Sequence, residues 1–301
     1  MSEVDTDQFE AYRPLMFSIA YRMLGSATEA EDIVQEAYLR YQTTPPAQIV
    51  SHKAFLSTVV TRLCLNQLES ARMQRERYIG PWLPEPLLAE PDESLLPARQ
   101  AELHESLSLA FLTLLEALTP LERAVFLLRE VFDYEYAEIA DIVGKEEAAC
   151  RQMLSRARKH ISEHRPRFKP TPEAHDRILN QFIQTVSTGD MDRLLQLLSE
   201  DVTLWADGGG KARGAALYPL RGREAVALFV MASTRFLPEN FRAELSRVNG
   251  ELSLIMREGS KPVVVLSIAV DQERICEIRA IGNPDKLNWL GGAANPGEKQ
   301  S

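Results

Sequence analysis

Residues 136–161 read YAEIADIVGKEEAACRQMLSRARKHI, and the reading of this stretch decides the fold of the first half of the chain. YAEIADIVG predicts a short helix stopped by Gly144, since glycine takes the left-handed conformation without steric cost. A second helix opens on Glu146 and Glu147, whose carboxylates suit the positive end of a helix dipole. Within it Cys150, Met153, Leu154, Ala157 and Ile161 recur at helical spacing and form one apolar stripe. Arg151, Gln152, Ser155, Arg156 and Lys159 lie off that stripe. A helix-turn-helix needs this division, because one stripe anchors the second helix while donors on its far side enter a major groove. Arginine and glutamine bond base edges bidentately, and serine and lysine suit bases or phosphates. Spacing alone leaves a second possibility open, a solvated basic helix in a bundle.

Charge supports a local rather than a global reading. The 301 residues carry a net charge of −9, which by itself argues against nucleic acid. Yet residues 151–169 hold Arg151, Arg156, Arg158, Lys159, Arg165, Arg167 and Lys169 against Glu163 alone, a local +6. Residues 1–165 sum to −9 and residues 166–301 to 0, so the basic cluster sits inside the acidic half.

Working outward, residues 7–75 read as helices. FEAYRPLMFSIAYRML has helical apolar spacing, and GSATEAEDIVQEAYLRYQ supplies a turn, Thr28 as N-cap and a second helix. After TTPPAQ, SHKAFLSTVVTRLCLNQLESARMQRERY resumes the pattern and becomes basic toward its end. Residues 76–106 lose periodicity, contain five prolines and carry a net −5, which reads as a linker. Inside it stands GPWLPEPLL (80–88), whose Trp82 has more apolar surface than a solvated tether should show. Residues 107–164 are helical again and end at PRFKPTP. From 173 two helices are followed by the strand-like runs DVTLWAD, ELSLIMRE, KPVVVLSIAV and RICEIRAI. Helices first and strands later predict an α+β domain with a mostly antiparallel sheet.

Several classes fall away. No stretch approaches the roughly 18–20 apolar residues of a membrane span, and the N-terminus MSEVDTDQFE does not read as a signal peptide. Cys64, Cys150 and Cys276 lie far apart without metal-ligand spacing, so reduced thiols in a cytoplasmic protein are expected, with no metal and no cofactor.

The segment AYRMLGSATEAEDIVQEAYLRY resembles conserved region 2 of bacterial extracytoplasmic-function (ECF) sigma factors, through its GS-x-x-EAED-x-VQE core. The 118–161 segment, with its TP-x-ER-x-V-F-LL-R-E lead, resembles their region 4, which binds the −35 promoter element. The resemblance covers residues 7–164 and implies a protein without catalytic chemistry of its own that binds core RNA polymerase and directs it to promoter DNA. On it, Asp32, Gln35 and Glu36 match the contact with the polymerase β and β′ subunits. Arg62, Asn66 and Gln67 fall where the family reads the −10 element, beside Arg72, Arg75 and Arg77 for the backbone. VVTRLCLNQL lacks the aromatic-rich pattern common there. Arg151, Gln152, Ser155 and Arg156 match the −35-reading positions, and the acidic linker threads polymerase channels otherwise filled by nucleic acid.

A minimal member of the family would end near His164, but 137 residues follow. They resemble a SnoaL-like domain, an α+β cone of the NTF2-like superfamily, and the combination resembles the SigJ-like group of sigma factors. The marks are ADGGGK (206–211), NPDKL (283–287) and WLPEP (82–86). The expected organisation is therefore multidomain. Two all-α sigma domains (1–75 and a helix-turn-helix at 107–165) flank the linker 76–106, followed by an α+β domain at 172–291 with a curved, mostly antiparallel sheet and a flexible tail at 292–301.

Related cyclases and isomerases pair an aspartate with a histidine in an apolar cone. Asp207 with Trp205, Phe229, Phe236 and Trp289 would suit such a pocket, but no histidine follows His175. A small-molecule ligand in this domain therefore ranks above catalysis. Three consecutive glycines, Gly208, Gly209 and Gly210, exceed what a plain turn needs and predict close approach to another surface flanked by Asp207 and Lys211. The expected surface is the linker, with Trp82, Leu83 and Pro84 packing near this loop and Asn283, Pro284 and Asp285 beside it; the alternative tucks Trp82 against its own helical domain. The fused domain then regulates the sigma factor in cis, and an anti-sigma factor is neither required nor excluded. Two other classes stay open, a DNA-binding regulator independent of polymerase and a SnoaL-type enzyme with a DNA-binding appendage.

Overall fold

A computed structural model describes residues 3–75, 78–88, 106–164 and 171–291. The acidic residues at 76, 90, 92, 93, 102 and 105, the basic residues at 77, 165, 167 and 169, and the tail 292–301 lie outside the described residues, as do the side chains of Arg72 and Arg75. The chain forms two compact units, one of residues 1–76 with 111–165 and the other of 77–110 with 166–301.

The first unit is helical: α1 Glu3–Leu24, α2 Ala27–Thr43, α3 His52–Arg75, then, from α4 Leu109–Leu115 at the unit boundary, α5 Pro120–Phe126, α6 Tyr136–Val143 and α7 Glu147–His164. α1 packs on α2 and α3, and Met16, Ile19, Tyr21 and Leu24 of α1, Ala30, Val34 and Ala37 of α2 and Leu56, Val60 and Cys64 of α3 are all buried. The cap of α2 is Ser26, whose hydroxyl accepts from the Glu29 N–H at 3.1 Å. Thr28, the expected cap, lies inside the helix, because the left-handed Gly25 (φ 69°) ends α1 two residues earlier than that cap requires. Thr119 and Glu122 cap α5 reciprocally.

The expected helix-turn-helix geometry is present. Gly144 stops α6 in the left-handed region (φ 65°), and Cys150, Met153, Leu154, Ala157 and Ile161 of α7 are buried on one stripe. Two arginines are buried to hold the unit together. Arg123 donates to the Met23 carbonyl at 2.6 Å and pairs with Glu116 at 2.7 Å, so the C-terminal end of α1 is capped from α5. Burial lowers the Arg123 and Arg22 pKa values to about 10. From α3, Ser57 shares a 2.6 Å hydrogen bond with Tyr134.

The second unit carries α8 Pro172–Thr188, α9 Met191–Leu197, β1 Leu198–Asp207, β2 Leu220–Arg221, α10 Arg223–Ser233, β3 Phe241–Val248, β4 Glu251–Glu258, β5 Lys261–Asp271, β6 Arg274–Ile281 and α11 Pro284–Gly291. Its sheet has the order β2-β1-β6-β5-β4-β3, antiparallel except for the parallel β1–β6 pair, as the α+β expectation required. Strand alternation sends Leu204, Leu254, Met256, Leu266 and Ile278 to one face, where they pack with Ile178 and Phe182 of α8 and Val226 and Val230 of α10. It sends Ile255, Val265 and Ile281 to the other, which is covered by Leu83, Leu109, Leu287 and Leu290. β3 and α10 are absent from the strand-like and helical runs read in the sequence. β3 is an exposed edge strand in which Phe241, Ala243 and Leu245 alternate with Arg242, Glu244 and Ser246, a short period-two run that the sequence reading passed over.

Candidate functional sites

The second face of the sheet carries a polar cluster built from three separated segments. Asp207 ends β1, fully buried, and its carboxylate accepts from the Tyr78 hydroxyl at 2.5 Å, the Leu83 N–H at 2.8 Å and Lys286 Nζ at 2.6 Å. Lys286 also donates to the Leu83 carbonyl, and its Nζ lies 4.1 Å from the centroid of the Trp82 ring and 4.9 Å from that of Tyr78. One lysine thus satisfies a carboxylate and a peptide carbonyl and rests on two π-faces, which compensates its removal from water. Asn283 Nδ2 donates to the Tyr78 hydroxyl at 2.7 Å, and burial first, then the hydrogen bond to Asp207, push the Tyr78 phenol well above the usual tyrosine range.

The glycines let this cluster close. At Gly209 (φ 57°) an added Cβ would stand 2.3 Å from Asn283 Nδ2 and 3.0 Å from the Tyr78 hydroxyl. At Gly210 (φ 71°) it would stand 3.0 Å from the Ile79 side chain. Gly208 accepts from the Lys211 and Ala212 N–H groups, and Lys211 pairs with Asp285 at 2.5 Å across the site. Pro284 opens α11, with the Asn283 carboxamide accepting from the Asp285 N–H at 3.1 Å.

A second anchor holds both ends of the expected linker. Asn249, left-handed (φ 53°) and buried in the β3–β4 turn, exchanges two bonds with Leu87: its N–H donates to the Leu87 carbonyl at 2.8 Å and its side-chain oxygen accepts from the Leu87 N–H at 2.9 Å. Its side-chain amide also donates to the Leu107 carbonyl at 2.9 Å. Leu88 and Val248 form an antiparallel bridge beside it. Trp82, Leu83 and Pro84 thus sit on the C-terminal unit, Leu83 and Pro84 both buried.

The opposite face of the same sheet encloses a cavity of about 540 Å³, lined by Phe229, Phe236, Leu254 and Met256 among others. Trp205 and Trp289, expected in this pocket with Phe229 and Phe236, are not part of its wall. Trp205 points to the other sheet face and Trp289 is 40 % exposed on α11. The Asp207 carboxylate is likewise taken by the linker and Lys286, so it does not head an acid/base pair in the cavity. His175 Nε2 donates to the Ile268 carbonyl, 3.1 Å away, outside that wall.

In the first unit, Arg151, Gln152, Ser155, Arg156 and Lys159 line the exposed side of α7. Arg151 lies 2.7 Å from Glu147 and its guanidinium 4.6 Å from the Tyr136 centroid, while Arg156 and Lys159 make looser pairs with Glu122 and Glu163. On α3, Arg62 donates to the Ile142 and Asp141 carbonyls at 3.0 and 2.9 Å, capping the end of α6. Asn66 is exposed and Gln67 donates to Glu29 at 3.3 Å. Asp32 and Gln35 are exposed on α2, and Glu36 pairs with Arg40 at 2.9 Å.

Family models for Sigma-70 region 2 and Sigma-70 region 4 match residues 8–73 and 108–161. The chain is 36 % identical over 294 residues to the ECF RNA polymerase sigma factor SigJ of Mycobacterium tuberculosis, covering 94 % of this chain and 93 % of that protein. It belongs to the ECF sigma factors. The crystal structure of the same M. tuberculosis SigJ superposes with a TM-score of 0.73 at 33 % identity, over 96 % of this sigma factor and all of that chain. A probable ECF sigma factor SigI of M. tuberculosis is 37 % identical over 199 residues, 64 % of this chain and 67 % of that one. This chain is accordingly an alternative sigma factor acting in transcription initiation, with RNA polymerase and promoter DNA as its partners.

Three residues of the cluster escaped the sequence reading. Lys286 lies within NPDKL, and a lysine in the first turn of a helix opposes the dipole there, a signal that another partner holds it. Asn249 reads locally as the Asn-Gly of a hairpin turn. Tyr78 carries no local signal, because its partners lie 129 and 205 residues away.

Proposed function

We propose that the C-terminal domain regulates this sigma factor in cis by gripping the connector between regions 2 and 4. The observation that carries the reading is that both connector ends are bound to it, residues 78–88 by Asp207, Lys286 and Asn249, and Leu107 by Asn249. Region 2 ends and region 4 begins within a few residues of these anchors, so gripping the connector limits how far the two promoter-binding regions separate. In this reading Asp32, Gln35 and Glu36 contact the β and β′ subunits, Arg62, Asn66 and Gln67 read the −10 element, and Arg151, Gln152, Ser155, Arg156 and Lys159 read the −35 element. Trp82, Leu83, Pro84, Gly208, Gly209, Gly210, Lys211, Asn283 and Asp285 are regulatory contacts. An anti-sigma factor is an optional partner. The protein acts in the cytoplasm, where its polymerase is.

In vitro transcription with core polymerase tests this reading by comparing the full chain, a truncation after residue 170 and Asp207→Asn. Regulation in cis requires both altered proteins to change polymerase association or transcript yield in the same direction, with −35 binding retained. Identical behaviour of all three would overturn it.

A further inference from the structure

The cavity of the C-terminal domain has a wall chemistry that selects its occupant. Its roughly 540 Å³ falls within the range of about 300–1,000 Å³ typical of small-molecule sites. Phe182, Phe229, Phe236 and Phe241 contribute rings, and Leu254 and Met256 close the sheet side. The hydroxyls in the wall do not face a ligand, since each donates to its own helix: Ser187 to Gln184, Ser233 to Val230 and Thr234 to Met231, at 2.8 Å each. The interior is therefore apolar with its polar groups already satisfied, and a ligand with polar atoms along its body would lose hydrogen bonds to water on entering.

One cation breaks this pattern. Arg213 lies in the cavity wall and is exposed, and neither a hydrogen bond nor an ion pair engages it among the described residues. A guanidinium recognises carboxylates by paired, charge-assisted hydrogen bonds. We propose that the C-terminal domain binds an apolar monocarboxylate, its body in the cavity and its head group on Arg213.

The lip of the cavity is also the seat of the connector. Gly214 packs so closely under the Phe236 ring that an added Cβ would stand 2.3 Å from it, and Asp207, Ala212, Arg213 and Ala215 line the cavity. A few residues earlier, the same loop presents Gly209 and Gly210 to Tyr78 and Ile79. Occupancy on one side of this loop therefore bears on connector docking on the other, and linkage makes the effect reciprocal. That consequence rests on regulation in cis; binding itself does not.

Isothermal titration calorimetry on the full chain without polymerase tests the site, with decanoate and naphthoate as chain-shaped and ring-shaped probes and decan-1-ol as the uncharged control. Saturable one-to-one binding of either carboxylate is expected, weakened about tenfold or more in Arg213→Gln, with decan-1-ol affinity unchanged by that substitution. Ala243→Trp fills the cavity from the exposed edge strand β3 and should abolish binding while circular dichroism and Tm stay as in the parent chain. Absence of saturable binding by both carboxylates overturns the proposal, as does binding that survives Ala243→Trp. Equal carboxylate affinity in Arg213→Gln overturns the head-group assignment. Because polymerase is absent, none of these results bears on whether the connector contact regulates transcription.

Discussion

Lys286 Nζ lies 2.6 Å from the Asp207 carboxylate, and the two side chains are 7 % and 0 % exposed. Such a pair stabilises only while every remaining donor and acceptor is also satisfied, because both charges have left water. Here the satisfying groups come from the connector: the Leu83 N–H and carbonyl and the Tyr78 hydroxyl. The ion pair therefore depends on docking, and docking on the ion pair.

Removing one member leaves the other buried and unpaired. Lys286→Ala is expected to cost about 3–5 kcal/mol in the unfolding of the C-terminal unit and to free the connector. Asp207→Asn combined with Lys286→Met removes both charges and should recover a large part of that loss. Urea denaturation of the parent chain and the two variants, followed by limited proteolysis near residue 88, measures both effects. Equal stability of Lys286→Ala and the parent chain would show that the pair is not coupled to docking.

Asn249 offers a separate way to release the connector. Asn249→Gly keeps the left-handed backbone (φ 53°) and its N–H bond to Leu87 but deletes the side chain that holds Leu87 and Leu107. The expected loss is about 1–3 kcal/mol, from two hydrogen bonds and the polar groups left without partners. Hydrogen exchange at the Leu87 amide should rise, whereas amides in the centre of β5 should keep their protection.

The parts legible in the sequence were those written in local patterns. The apolar stripe of α7, the Gly144 stop and the strand-like apolar runs of β4 to β6 each follow from neighbours a few residues apart. The triple glycine announced a close approach because its conformational cost calls for a reason. Partners were harder to read, since Tyr78, Asp207 and Lys286 meet only after the sheet has formed. The destination of the aromatic pocket residues was harder still: Trp205 and Ala206 are adjacent in sequence but face opposite sides of β1, and one residue of register decides which side is the cavity.

Gly209 tests the close approach directly. Gly209→Ala adds a methyl group 2.3 Å from Asn283 Nδ2 at a positive φ, so strain and steric conflict act together. Connector docking should weaken by at least about 1 kcal/mol. Gly259→Ala, also at positive φ (61°) but with no atom within 4 Å, controls for strain alone. Hydrogen-exchange protection of the Leu83 amide, which donates to Asp207, should persist in the control and fall in Gly209→Ala.

Tyr78 gives the contact a pH dependence. Its phenol pKa is raised in the folded chain, mainly by burial and then by Asp207. A raised pKa means that the folded state holds the proton more tightly than the unfolded one. Its contribution is thus fully present below the ordinary tyrosine pKa of about 10 and is lost as pH rises through the higher folded value. Connector protection should stay level up to pH of about 10 and decline above it. Tyr78→Phe should start lower and lack that component of the decline. A loss of protection near neutral pH in the parent chain would contradict the assignment.

Arg151 separates structural from DNA-reading roles on α7. Its contacts in the free chain are a surface ion pair with Glu147 and the Tyr136 ring, and exposed pairs of this kind contribute about 0–1 kcal/mol. Arg151→Ala should therefore leave Tm nearly unchanged. On promoter DNA, if Arg151 reads a base, the same change should cost about 1–3 kcal/mol and relax selectivity at a single position of the −35 element. Binding to a panel of single-base promoter variants decides the role. An equal loss on every variant, with a salt dependence reduced by about one ion, would identify a phosphate contact instead. Lys159, farther along the same exposed side and paired with Glu163 only at 4.0 Å, is expected to behave in that second way.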